Sequence, residues 1–390
     1  MLVCLPLLML ADWPQFLGPA RNGVSEETVE PWKAPPKALW TFPAGQGFAA
    51  PAVAQGKVLL FHRIGDEELL TALDPRTGKT LWSSAAPTAY RDDFGFDEGP
   101  RAAPTAAGNR VFVYGAEGLL RAHDLASGKL LWSVDVMKKY NVEKGFFGAA
   151  GAPLHIGGRI LVNAGGKGAG VVAFDAASGR ELWRADSGPA SYSSGVATTL
   201  NGKPAAVFFT RSGLLVLDPA GGAVIHQMQW RSRSNSSVNA AAPLVDENRI
   251  FLSASYGTGA ILLDAATWKP LWSGDDSLSN HYATSVKSGG YLYGFHGRQE
   301  TGQQLRCVEW MTGKVLWAED GLRAGTVLLA GGRLLVLTES GELILAPASP
   351  SGFRPLARAR VTGGTVRAHP ALSDGLLFLR NQNTLSCIQL

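Results

Sequence analysis

Arg101, Tyr192, His281, Arg323 and Arg367 stand at matching places along the chain. Each lies two residues before an Ala-Pro segment or its replacement, and these segments recur roughly every 40 to 50 residues. Phe48, Ala150 and Ala240 complete the series. If the recurring segments converge on one axis, three guanidinium groups, a phenol and an imidazole meet there as a ring. Guanidinium forks suit carboxylates and phosphates, and the phenol and imidazole add further donors. The chemistry implied is recognition of a small anionic molecule or an acidic peptide. The other reading of the same ring is a polar lining that only solvates a water-filled channel.

Other polar clusters carry less. Tyr90 to Arg101 is the longest acidic stretch, but its spacing matches no calcium loop and it reads as a solvated connection. His281 and His296 are too few for a metal site without a third ligand, so no metal is expected. The stretch from Lys138 to Phe147 reads as a basic-aromatic surface loop. Gly-x-Ser-x-Gly, His-Glu-x-x-His and phosphate-loop motifs are absent from the sequence, so no catalytic residue is assigned.

The elements that would position the ring are repeats. Asp74, Asp124, Asp175, Asp264 and Glu309 each precede a tryptophan by eight positions: Trp82, Trp132, Trp183, Trp272 and Trp317. Between them lies a Thr-Gly-Lys or Ser-Gly-Lys/Arg turn in most copies. Period and β-type composition predict an all-β fold, a β-propeller with one four-stranded antiparallel blade per copy. Seven units lie inside the chain. His369-Pro370 to Ile388 then supplies three strands without a tryptophan strand, and Lys37 to Phe42, with Trp40, supplies the missing one. An N-terminal strand that closes the last blade gives eight blades and hides two edges. Seven blades are the alternative if the unit from Thr326 to Leu356, which lacks the Asp and the Trp, is an insertion. The glycines suit left-handed turns, the aspartates accept from turn amides, and the tryptophans wedge between blades. The code breaks at His226, in a Trp position, and at Trp268, in a Gly position. Local repacking is the expectation there.

Composition agrees. Lys and Arg number 36 against 32 acidic residues, too mild a surplus for a nucleic-acid partner. Residues 13–390 hold no apolar run long enough to span a membrane. Residues 1–11 are uninterruptedly apolar and read as the remnant of a signal peptide, which predicts a periplasmic or secreted protein. Residues 12–36 then form an N-terminal segment and residues 37–390 a single propeller domain, expected as a monomer. Cys307 and Cys387 occupy equivalent positions in non-adjacent blades, too far apart for the ~7 Å that a disulfide allows. Both are expected as buried free thiols.

The repeats resemble the quinoprotein-like, or pyrroloquinoline-quinone-like, β-propeller repeat family over residues 37–390. Trp13-Pro14-Gln15-Phe16-Leu17-Gly18-Pro19 looks like the opening motif of secreted bacterial members with a single propeller. The family includes quinone- and calcium-dependent alcohol dehydrogenases and a non-enzymatic outer-membrane assembly protein. The dehydrogenases typically carry adjacent cysteines beside the cofactor, and no two cysteines are neighbours here. With the arginine ring, the expectation is a secreted, non-catalytic propeller that binds a small anionic ligand or a protein partner at a channel mouth. Two alternatives stand beside it: a quinone-dependent oxidoreductase or degenerate relative with pyrroloquinoline quinone and Ca²⁺, and an envelope assembly scaffold.

Overall fold

The computed structural model describes residues 11–390 apart from 187 and 236. The proposed signal-peptide remnant, Cys4 included, lies outside the described residues except for its last residue, Ala11. The remainder is an eight-bladed β-propeller. The first blade runs from its inner strand Ala52–Ala54 through Lys57–Ile64 and Glu67–Leu73 to its outer strand Thr80–Pro87, each antiparallel to the next. Six further blades follow in sequence. The last takes Ala371–Ser373, Leu376–Arg380 and Thr384–Gln389 from the C-terminus and Ala38–Pro43 from the N-terminus. The ring therefore closes as the sequence predicts, with eight blades. The degenerate unit is a true blade (Gly325–Ala330 to Ala357–Arg360) and not an insertion. No helix among the described residues is long and apolar enough to cross a membrane.

Five of the eight seams between blades repeat one arrangement. The outer-strand Trp packs its indole on the turn glycine of the next blade and donates Nε1–H to a carbonyl there. Trp40 reaches Pro75 O at 2.9 Å and Trp132 reaches Ala176 O at 3.2 Å; Trp317 makes the same bond to Ser349 O at 2.9 Å but packs on Phe353 in place of a glycine. The turn itself is held by the acid: the Ser127 and Ser178 hydroxyls and amides bond the Asp124 and Asp175 carboxylates and keep them below the usual carboxylate range. At the seam between the fourth and fifth blades the two broken positions meet. His226 stacks flat on Trp268, with ring centroids 4.0 Å apart and planes 4° from parallel. The exchange is thus reciprocal: a small ring replaces the large one and a large ring replaces glycine. Trp268 takes the glycine-like φ of 58° to do so.

The seventh blade has no outer-strand Trp, and the N-terminal segment ties that seam instead. Val24–Ser25 adds a fifth strand, parallel to Gly325–Ala330, and the Glu27 carboxylate accepts from the amides of Asp374 and Gly375 in the eighth blade at 2.9 and 2.7 Å. The same segment crosses the channel. Trp13 pairs with Val53 of the first inner strand, and Pro14 O accepts from Ala106 N of the second. Arg21, 2% exposed, then reaches inner-strand groups of the second to fourth blades. Its donors go to Thr105 Oγ1 at 3.2 Å, Gly195 O at 2.9 Å, Ala152 O, Pro153 O and Gln15 Oε1. No carboxylate meets it in these bonds, and burial pulls the guanidinium down to about 9. Hydrophobic burial at the seams and this plug together fix the inner strands around one axis.

Candidate functional site

The channel mouth at the start of the inner strands opens into a cavity of about 320 Å³. The N-terminal segment forms part of its lining: Phe16 packs on Ala50, Ala103 and Ala152 and meets the His369 ring edge-on at 5.1 Å. Burial holds His369 near pKa 4, so it is a neutral imidazole at physiological pH. Seven of the eight aligned ring positions line the cavity: Phe48, Arg101, Ala150, Tyr192, Ala240, His281 and Arg367. Arg323 does not. It is exposed and pairs with Gln303 at the end of the outer strand Val315–Arg323. The other ring residues stand four or five positions before their inner strands, whereas only Ala324 separates Arg323 from Gly325–Ala330. With no connecting loop, the chain has not yet reached the axis at Arg323.

The two arginines of the cavity differ in what holds them. Arg101 stacks on Phe147 at 5.2 Å and donates to the carbonyls of Asp97 at 3.0 Å and Phe147 at 3.3 Å, with the Asp92 carboxylate 3.7 Å away. It staples the loop around Asp97 to the loop around Phe147. Arg367 stacks on Phe48 at 5.6 Å and gives Nε–H to Glu339 Oε1 at 2.7 Å. Tyr282 donates to that same oxygen at 3.2 Å. The two terminal nitrogens of Arg367 have no hydrogen-bond partner among the described residues. Tyr192 accepts from Phe147 N at 3.3 Å, and burial raises its phenol above the usual value.

His281 is 7% exposed. Gln299 Oε1 meets its Nδ1, and Tyr256 Oη lies 3.0 Å from its Nε2. Burial lowers its pKa, which favours the neutral ring. Phe147, Tyr256, Tyr282, Gln299 and Glu300 also line the cavity. The repeat does not place them there, because they sit on loops where no repeat predicts which residue turns inward. Phe16 and His369 left a signal: one lies in the N-terminal motif, and the other fills the Ala position before Pro370.

The cavity offers no ligand set for calcium and quinone. Glu300 is the one carboxylate in its lining, and Arg298 pairs with it at 3.2 Å. Among the described residues no three His, Cys, Asp or Glu side chains gather as a metal site. Cys307 and Cys387 are free thiols buried in separate blade cores, as the sequence predicts.

Fold and cavity define an eight-bladed propeller of quinoprotein-like repeats with a mouth cavity. The family model described as outer membrane protein assembly factor BamB matches residues 65–319, which is 255 of the 390 residues, and the chain belongs to this pyrroloquinoline-quinone-like propeller family. Among solved structures, BamB from Moraxella catarrhalis is similar at a TM-score of 0.67 and 15% identity, over 92% of this chain and 98% of that one. A europium-containing methanol dehydrogenase aligns at 0.54 and 14% identity, over 95% and 90% of the two chains. The quinohemoprotein alcohol dehydrogenase from Comamonas testosteroni gives 0.51 and 14% identity, over 97% and 80%. At these identities the likeness is one of fold. No curated protein matches the sequence.

Proposed function

We propose that this protein is a secreted or periplasmic, non-catalytic propeller that binds a small anionic molecule with an apolar body in the mouth cavity. The observation that carries this is Arg367. Glu339 and Phe48 hold its plane, and both terminal nitrogens remain unpartnered in the wall of an aromatic cavity. Two parallel N–H groups on a pre-oriented guanidinium match a carboxylate. A volume of 320 Å³ lies at the small end of the ~300–1,000 Å³ usual for ligand pockets, which suits a single ring better than a fused system. Thermal shift of the full chain with phenylpropanoate tests it. The ligand should raise the melting temperature, and Arg367→Ala should abolish that rise. Equal stabilisation of both proteins would sink the assignment.

The quinone-and-calcium alternative lacks its donors in the lining of this cavity. A protein-assembly role is the second reading, favoured by the family match. The surface that supports it is a belt of exposed aliphatic residues on successive outer strands: Leu39, Leu81, Leu131, Leu182, Ile225 and Leu271. Crosslinking from the belt and from the cavity rim in cells separates the two. Protein adducts from the belt alone would favour the scaffold.

A further inference from the structure

The cavity wall is not donor-only. Gln299 Oε1 accepts from His281 Nδ1, which fixes the ring proton there and leaves Nε2 as an acceptor. The Tyr256 hydroxyl donates to Nε2 at 3.0 Å. With that proton committed, Tyr256 Oη has only lone pairs to offer a ligand. The Arg298 guanidinium lies 4.3 Å over the Tyr256 ring and holds it in place. Glu300, which takes Arg298 Nε at 3.2 Å, adds a second acceptor to the lining. Tyr256, Glu300 and Arg367 all line the one cavity, so acceptors and fork serve one space.

A ligand bearing only a carboxylate would satisfy Arg367 and leave the lone pairs of Tyr256 Oη facing it without a donor, while half-exposed Glu300 keeps its bond from Arg298. That mismatch discriminates strongly, because a desolvated acceptor left unpaired is costly. We infer that the cavity selects a zwitterionic amino acid with a large apolar side chain. The carboxylate lies on Arg367, the ammonium meets Tyr256 Oη and Glu300, and the side chain packs against Phe16 and Phe147. This rests on the anion-binding reading above and adds the second charge to it.

Calorimetric titration of the full chain with L-phenylalanine, phenylpropanoate and phenethylamine separates the two claims. Phenylalanine should bind tightest, and loss of either charged group should weaken binding about tenfold or more. Tyr256→Phe keeps the ring and removes the acceptor. It should weaken phenylalanine while leaving phenylpropanoate unchanged, which also shows that the cavity still folds. Arg367→Ala should weaken both. Phenylpropanoate binding as tightly as phenylalanine would overturn the zwitterion inference and leave the anion reading standing. If none of the three binds, both fall. Unchanged phenylalanine affinity in Tyr256→Phe would remove Tyr256 as the acceptor.

Discussion

The seam between the second and third blades gives the sharpest prediction about what holds the ring together. Gly179 has φ +72°, and a β-carbon there would stand 2.6 Å from Cδ2 of Trp132. Gly179→Ala therefore meets two obstacles. The left-handed backbone costs an L-residue about 1–2 kcal/mol, and displacing the indole costs about 1–3 kcal/mol more as overpacking. Trp132→Ala loses the buried part of the indole and its bond to Ala176 O at 3.2 Å. Because the ring is half-buried, the loss is about 2–3 kcal/mol, at or below the low end for aromatic truncations. In the double variant the clash is gone and only the backbone cost remains, so the two changes couple by about 1–3 kcal/mol. Thermal unfolding of the four proteins measures this. A chain of 390 residues unfolds with an entropy of about 0.8 kcal/mol/K, so about 3 kcal/mol lowers Tm by about 4 °C. Additive shifts, within about 0.5 kcal/mol, would refute the wedge.

Other expectations follow from buried groups. Arg21→Met removes five donor contacts and leaves carbonyls unpaired; it should cost at least about 3 kcal/mol and speed proteolysis within residues 13–25, and unchanged cleavage would count against the plug. Burial holds His62, His123 and His369 near pKa 4, against about 6.5 in the unfolded chain. The unfolded state then binds more protons between those values, so stability is full above about 6.5 and is lost as pH falls towards 4. Urea midpoints should drop from pH 7 to pH 4.5, and a flat profile would contradict it. Burial pushes the Cys307 and Cys387 thiols up to about 11 and about 12, so both should resist thiol reagents until the chain unfolds. Labelling of either in the native protein would show that its blade opens.

Much of the fold was legible because a repeat states its own period. The eight-residue spacing from acid to Trp marks a turn and an outer strand, and the orphan strand around Trp40 gave the closure and the blade count. Part of the site was legible for the same reason: a residue at one offset from each inner strand sits on the axis, as Arg101, Tyr192, His281 and Arg367 do. Arg323 failed because the offset holds only where a loop feeds the inner strand. The rest was hidden by long-range contact. Nothing local tells Trp268 that His226 will stack on it, or Arg21 that it will meet carbonyls of Ala152, Pro153 and Gly195. The opposite roles of Arg101 and Arg367 depend on Asp97 O, Phe147 O and Glu339, groups that the repeat does not place.

The most direct test of the cavity as a ligand site is a crystal of the full chain soaked with bromophenylpropanoate, read by the anomalous signal of bromine. The account predicts a bromine peak within the mouth cavity, with the carboxylate on Arg367. Bromine sites confined to the outer belt, or a cavity left empty at saturating ligand, would contradict it.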